Sequence, residues 1–147
     1  MNGLFDKNGR RTSIPPSRVL QSLTVKVERF GGESQQVRID FLKKRFVFVV
    51  WRSPGDSKPS SENLPLGLPG SVETFKRELY NFDIWSWDSV YYKEDGIILD
   101  GKYWSVELET KVKVYQSNGI ECFPSNWVLL CKSIEKLIGA PFGLEQV

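Results

Sequence analysis

The sequence contains no histidine, and this absence excludes several classes of enzyme at once. A serine triad, a Cys–His pair and a His-ligated zinc site all need an imidazole. Only two cysteines occur, Cys122 and Cys131, so a four-cysteine zinc site is excluded too. They do not form a Cys-x-x-Cys pair, and we expect two reduced thiols that are buried or half-buried. The sequence therefore predicts no cofactor, no metal and no enzyme activity.

Long apolar runs are missing as well. No stretch of about eighteen apolar residues exists, so no transmembrane helix is expected. Met1 to Arg11 is polar and lacks the apolar region of a signal peptide. The 147 residues, 40% hydrophobic and 26% charged, are typical of one folded globular domain. We expect a protein that stays in the cytoplasm.

The charge is unevenly distributed along the chain. Residues 1–70 hold twelve Lys and Arg against six Asp and Glu, whereas residues 71–147 hold eight against twelve. The net charges of the two halves are therefore +6 and −4, which together give the overall +2. The acidic residues are densest between Glu78 and Asp100, where Lys93 is the only basic residue. Such asymmetry bears on the choice of partner and not on the fold.

Turn-forming residues divide the chain into an arm and one domain. Residues 1–22 mix Gly, Arg and Ser with Pro15 and Pro16, and they predict a flexible N-terminal arm. Residues 23–147 are expected to form a single domain. Within it, residues 53–70 contain four prolines and three glycines, so they predict a long loop without regular structure.

The apolar periodicity predicts an α+β fold, with a mainly antiparallel sheet of about six strands and two packed helices. Alternation predicts a hairpin over Leu23 to Phe41, and a run that is apolar on both faces, Phe46 to Trp51, predicts a central strand. Residues 82–116 predict an antiparallel meander, with Trp104, Val106 and Leu108 pointing inward. Helical spacing predicts a short helix capped by Ser71. The longer, C-terminal helix is predicted to open at Pro124 or Ser125 and to stop at Gly139.

The acidic and aromatic segment inside the meander is the first candidate site. If it is a strand, Asp83, Trp85, Trp87, Ser89 and Tyr91 share one face. Aromatic side chains dominate interface hot spots, and carboxylates attract a basic partner. The predicted partner-binding residues are Tyr80, Asp83, Trp85, Trp87, Asp88, Tyr91, Glu94 and Asp95. The alternative is a buried aromatic strand with solvated acids at its ends.

Two other candidate sites compete with this one. Arg38, Arg52 and the segment Lys43 to Trp51 combine basic and aromatic residues, which could bind single-stranded nucleic acid, although Phe46 to Val50 looks buried. Glu107 and Glu109 share one face of a strand and could serve acid–base or metal chemistry. Outward glutamates are also the ordinary way to keep a strand soluble, so catalysis is disfavoured. Nucleic-acid binding is disfavoured as well, because the aromatic residues between Phe46 and Val50 look buried. A non-catalytic adaptor domain is a further alternative.

A series of motifs in the C-terminal half resembles a known class of proteins. Its parts are Trp85, Trp87, Tyr91, Asp100-Gly101-x-x-Trp104, Ser117-Asn118-Gly119, Phe123-Pro124-x-x-Trp127 and Leu137-Ile138-Gly139-x-x-Phe142-Gly143. The series covers roughly residues 80–143. It is similar to immunity proteins that bacteria encode beside polymorphic or contact-dependent growth inhibition toxins.

This resemblance implies a cytoplasmic inhibitor. Such a protein would bind the C-terminal domain of its cognate toxin stoichiometrically and cover the active site or a substrate-binding surface. The resemblance does not fix the type of toxin. A basic nuclease would suit the acidic, aromatic segment, since nucleases that bind phosphate are commonly cationic.

Overall fold

The computed structural model describes residues 14–29, 32–52, 67–92 and 102–143, together with two short strands near the N-terminus. These two strands, β1 (Leu4–Phe5) and β2 (Arg11–Thr12), pair antiparallel with each other. A 3-10 turn at Pro16–Arg18 then leads into the main sheet. The main sheet begins at Leu20, inside the segment expected to be an arm, and the division of the chain at residue 22 stays a prediction.

Six strands and two α-helices form the α+β fold that the sequence predicts, and the longer helix is C-terminal. The strands are β3 (Leu20–Arg29), β4 (Glu33–Asp40), β5 (Arg45–Arg52), β6 (Val90–Tyr92), β7 (Lys102–Thr110) and β8 (Val114–Ile120). The helices are α1 (Val72–Leu79) and α2 (Trp127–Ile138). The strand order is β5-β4-β3-β7-β8-β6, and every pairing is antiparallel except that of β6 with β8.

One face of the sheet and the two helices share a hydrophobic core. Val25, Val37 and Val106 point from the strands into this core, and Phe75 and Ile134 point into it from the helices. The alternate side chains of β3, β4 and β7 point to the other face and are half-buried or exposed. Two residues of β4 depart from this pattern, since Ser34 is buried on the open face and Gln35 is only half-buried on the core side. The domain therefore has two layers, and the helices cover one side of the sheet.

Helix boundaries follow local signals in the sequence. The Ser71 hydroxyl accepts a hydrogen bond from the Thr74 N–H at 3.0 Å and caps α1, whose buried residues are the predicted Val72, Phe75 and Leu79. Helix α2 starts at Trp127, a little later than predicted. It ends as predicted at Gly139, whose φ of 71° is the left-handed conformation that glycine adopts easily.

The C-terminal end of α2 contacts the last part of the predicted proline-rich loop. The Gly70 N–H donates to the Leu137 carbonyl at 2.9 Å, and the Gly67 N–H donates to the Gly139 carbonyl. A side chain at Gly139 would meet the Gly67 carbonyl oxygen at 2.6 Å, so glycine is required there for a second reason. The rest of the predicted loop, residues 53–66, lies outside the described residues.

Two predictions about the sheet are wrong. Strand β5 contains the apolar run Phe46 to Trp51, but it lies at an edge of the sheet and not at its centre. Residues 82–116 are not an antiparallel meander, since residues 84–86 form a 3-10 turn and β6 runs parallel to β8. The inward positions Trp104, Val106 and Leu108 of β7 and the hairpin of β3 with β4 are confirmed.

Candidate functional site

The predicted partner-binding residues lie mostly between α1 and β6, beside β8 at the end of the sheet that β6 closes. This segment was expected to be a strand with its aromatic residues on one face, and that expectation is wrong. Asp83 has a φ of 55°, a left-handed conformation that Asp tolerates better than most residues. The Ser86 hydroxyl donates to the Asp83 carboxylate at 2.7 Å, and backbone bonds from Ser86 and Trp87 close the turn.

Trp104 of β7 organises the aromatic side chains of the site. Its own ring is buried, and its indole N–H donates to the Cys122 carbonyl at 2.7 Å. Trp87 packs edge-on against it at 6.1 Å between ring centroids, and Tyr91 packs against it at 5.6 Å. Because both rings rest on the core in this way, Trp87 and Tyr91 are half-buried.

Trp85 is fixed from the other side by the segment that precedes β3. The guanidinium carbon of Arg18 lies 4.2 Å from the centroid of the Trp85 ring, and Tyr80 packs against the same indole at 5.5 Å. The Tyr80 hydroxyl donates to the Arg18 carbonyl at 2.8 Å. Burial raises the pKa of Tyr80, and the nearby Arg18 charge opposes that rise only in part. Tyr80 therefore stays a neutral hydrogen-bond donor at physiological pH.

A groove of about 390 Å³ separates this segment from β7 and β8. Trp85 and Trp87 line it on one side, and Lys113, Tyr115 and Gln116 line it on the other. At its end, the Ser117 hydroxyl of β8 donates to the Asp88 carbonyl across the groove. Within the segment, the Asp88 N–H donates to the Tyr91 hydroxyl at 3.0 Å. The Asp88 carboxylate is on its exposed rim, and Asp83 is exposed at the start of the same turn.

The structure thus brings together six of the eight predicted residues and leaves two undescribed. The six are Tyr80, Asp83, Trp85, Trp87, Asp88 and Tyr91, while Glu94 and Asp95 lie outside the described residues. Sequence reasoning missed Arg18 and the β8 side of the groove. Arg18 gives no local signal, since it reaches Trp85 from far away in the chain. The apolar alternation around β8 predicts Val112 and Val114 to point inward, but both are exposed and Tyr115 is half-buried instead.

The basic candidate site is divided by the fold. Arg38, Val47 and Trp51 lie on the open face of the sheet, whereas Phe46 and Phe48 pack against the core. Of its cations, Lys44 forms an ion pair with Glu73 at 3.4 Å, and Arg52 forms one with Glu33 at 3.8 Å. The fold therefore separates Phe46 and Phe48 from the face that carries Arg38 and Trp51.

The candidate carboxylate pair makes ordinary surface contacts. Glu107 and Glu109 both point outward from β7, as predicted. Glu107 accepts a hydrogen bond from the Gln116 amide at 3.3 Å, and Glu109 accepts one from the Ser22 hydroxyl at 3.3 Å. Among the described residues, no group of three or more Cys, Asp or Glu side chains is placed to hold a metal ion.

Comparisons with known proteins do not assign this chain to a family, so its function must be inferred from its own structure. No family model, no curated protein and no solved structure gives a significant match. Within the part of the chain that the structure describes, none of the helices combines the length and the apolar character that crossing a bilayer requires.

Proposed function

We propose that this chain is a bacterial immunity protein of a contact-dependent growth inhibition or polymorphic toxin system. It acts in the cytoplasm, where it binds the C-terminal domain of its cognate toxin in a fixed ratio and blocks access to the toxin's active site. The supporting observation is the groove beside Trp85 and Trp87, with the exposed Asp88 on its rim and the exposed Asp83 at the start of the same turn. Binding without turnover is the mechanism.

The rigidity of the aromatic side chains favours tight binding. Association costs free energy when flexible side chains become ordered at an interface. Trp87 already rests on Trp104, and Trp85 is already held between Arg18 and Tyr80, so little of that cost remains. Large, rigid aromatic residues of this kind are the usual centres of binding energy in protein interfaces.

The two exposed aspartates define the chemistry of the proposed partner surface. They would pair with Arg or Lys side chains of the toxin and accelerate association by long-range attraction. A cationic nuclease domain suits this arrangement, because a surface that binds phosphate is complementary to carboxylates. Lys113 lines the far wall of the groove, where its ammonium lies 4.8 Å from the centroid of the Tyr115 ring.

Co-expression tests the proposal directly. The toxin domain encoded by the neighbouring gene is produced in cells with and without this chain, and survival and co-purification are measured. We expect the chain to restore growth and to co-purify with the toxin domain. If that domain is toxic and the chain neither binds it nor protects the cells, the proposal is wrong.

A charge reversal then tests the surface. Asp88→Lys is compared with Glu33→Lys, which reverses an exposed carboxylate on β4, far from β8 in the strand order. We expect Asp88→Lys to slow association about tenfold or more at low salt, and Glu33→Lys to change it little. Equal effects of the two substitutions would show that binding does not depend on the proposed surface.

A further inference from the structure

Strand β5 forms one edge of the sheet over its whole length. All its residues from Arg45 to Arg52 pair with β4, and no strand among the described residues pairs with its other side. Edge strands of soluble proteins are commonly protected by Pro, by an inward-pointing charge or by a bulge. β5 contains no Pro and no bulge, its two arginines stand only at its ends, and its six central residues are all apolar. Such an edge is able to accept another strand.

The side chains of β5 that face away from the helices form an apolar row. These are Val47, Val49 and Trp51, which alternate with Phe46, Phe48 and Val50 on the core side. Val47 is 60% exposed, and Val49 and Trp51 are half-buried. The Lys26 ammonium lies 5.6 Å from the centroid of the Trp51 ring and holds that ring against the open face.

We infer that β5 binds β5 of a second copy of this chain, antiparallel, around a twofold axis through Val49. A twofold axis perpendicular to a sheet keeps the open face of both copies on the same side, so a residue can pair only with one that faces the same way. Centred on Val49, the pairing places Val49 opposite Val49, and Val47 opposite Trp51 of the second copy. The apolar row of one copy thus continues directly into that of the other.

The apolar row selects this register over its neighbour. Centred on Phe48, the pairing would place Arg45 opposite Trp51 of the second copy, so a charged residue would face the apolar row. Centred on Val49, every residue of the row lies opposite another residue of the row. The terminal arginines also have acidic neighbours in their own copy, since Arg52 pairs with Glu33 and Arg45 lies opposite Asp40 on β4.

The expected dimer is weak and leaves the groove free. One pair of edge strands buries an area at the small end of protein interfaces, so dimerisation should depend on concentration. The groove borders β8 on the other side of the strand order. The inference is therefore independent of the proposed function, and it is tested without any toxin.

Sedimentation equilibrium of the full chain over a range of concentrations is the first test. We expect a monomer–dimer equilibrium that Val47→Lys weakens about tenfold, since the symmetric interface contains the substituted pair twice. Val112→Lys, at a position that is 66% exposed in the turn after β7, is the matched control and should leave the equilibrium unchanged. A monomer at every concentration, or equal weakening by both variants, overturns the inference.

Cross-linking tests the register. Under mild oxidation Val49→Cys should form a disulfide-linked dimer, because antiparallel partners directly opposite each other bring their Cβ atoms within disulfide range. Val112→Cys and the unmodified chain, whose own thiols are buried at Cys131 and half-buried at Cys122, are the controls. A dimer in which Val49→Cys cross-links no faster than Val112→Cys would refute the pairing around Val49.

Discussion

The guanidinium of Arg18 covers the indole of Trp85, with 4.2 Å between its central carbon and the ring centroid. Arg18 precedes the first strand of the main sheet, whereas Trp85 belongs to the 3-10 turn beside the groove. This contact therefore joins two segments that are distant in sequence. The same N-terminal segment is also joined to β8, since the Tyr115 hydroxyl donates to the Ser17 carbonyl at 3.2 Å.

Removing the Arg18 guanidinium should loosen this junction. We expect Arg18→Gln to lower the free energy of unfolding by about 0.5–1 kcal/mol, the range of a partly exposed cation–π contact. Urea denaturation followed by tryptophan fluorescence measures the change. Arg38→Gln removes a guanidinium from the open face of the sheet and is the control. Equal losses in both variants would mean that the contact with Trp85 contributes nothing specific.

Gly119 of β8 is packed so closely beside the site that a side chain there would collide with its neighbours. A Cβ atom there would meet the Tyr91 carbonyl oxygen at 2.6 Å and the Trp104 indole nitrogen at 2.7 Å. We expect Gly119→Ala to destabilise the fold by about 1–3 kcal/mol, because β6 and Trp104 must both move. Gly32→Ala is the control, since its added Cβ would approach no atom closer than 3.5 Å. Urea denaturation distinguishes the two, and a Gly119→Ala protein as stable as the control would contradict the packing described.

Local patterns predicted the helices and the inner strands correctly for identifiable reasons. Ser71, the spacing of Phe75 and Leu79, and Gly139 act within one or two helical turns, so the sequence contains the whole signal. The alternation in β7 works in the same way, because one face of that strand is core and the other is solvent.

The errors arose where distant residues decide the structure. The apolar run of β5 looked like a central strand, but its inner side packs on the core while its outer side stays partly exposed at an edge. Strand β6 pairs in parallel with β8, with Val90 opposite Asn118. No local pattern in the sequence predicts this pairing.

The candidate site shows the same division. The aromatic residues after α1 were recognisable by type, yet their β propensity predicted a strand. Packing of Trp87 on Trp104 and the left-handed Asp83 produced a turn instead. Arg18 covers part of the Trp85 indole, and Trp104 covers part of the Trp87 indole. Neither contact could be predicted from residues near the site in the sequence.

Glu78 links the two helices and makes their stability depend on pH. Its carboxylate accepts hydrogen bonds from the Lys136 ammonium at 2.7 Å and the Ser133 hydroxyl at 2.9 Å. These bonds lower the pKa of Glu78 below its ordinary value of 4.5, and the bond from Lys136 has the largest effect. A carboxyl group whose pKa is lower in the folded state stabilises the fold above its unfolded pKa and loses that contribution as the pH falls through the folded one.

Glu78→Gln should therefore destabilise the protein at neutral pH and much less in acid. We expect a loss of about 0.5–1 kcal/mol at pH 7, since the Lys136 side chain is largely exposed to solvent. Denaturation at pH 7 and at pH values below 4 measures it. Glu73→Gln removes an ion pair with Lys44 in which both side chains are mostly exposed, and it should have little effect at either pH. A loss that is the same at both pH values would refute the assigned role of the Glu78 charge.

The two cysteines should differ sharply in reactivity although neither forms a disulfide in the structure. Cys131 is buried in α2, and burial raises the pKa of its thiol to about 12, so almost no reactive thiolate exists at pH 8. Cys122 is only half-buried. We expect a disulfide reagent at pH 8 to modify Cys122 alone in the folded protein and both thiols in denaturant. Mass spectrometry of Cys122→Ser isolates the slow residue, and rapid modification of Cys131 in that folded variant would contradict its burial.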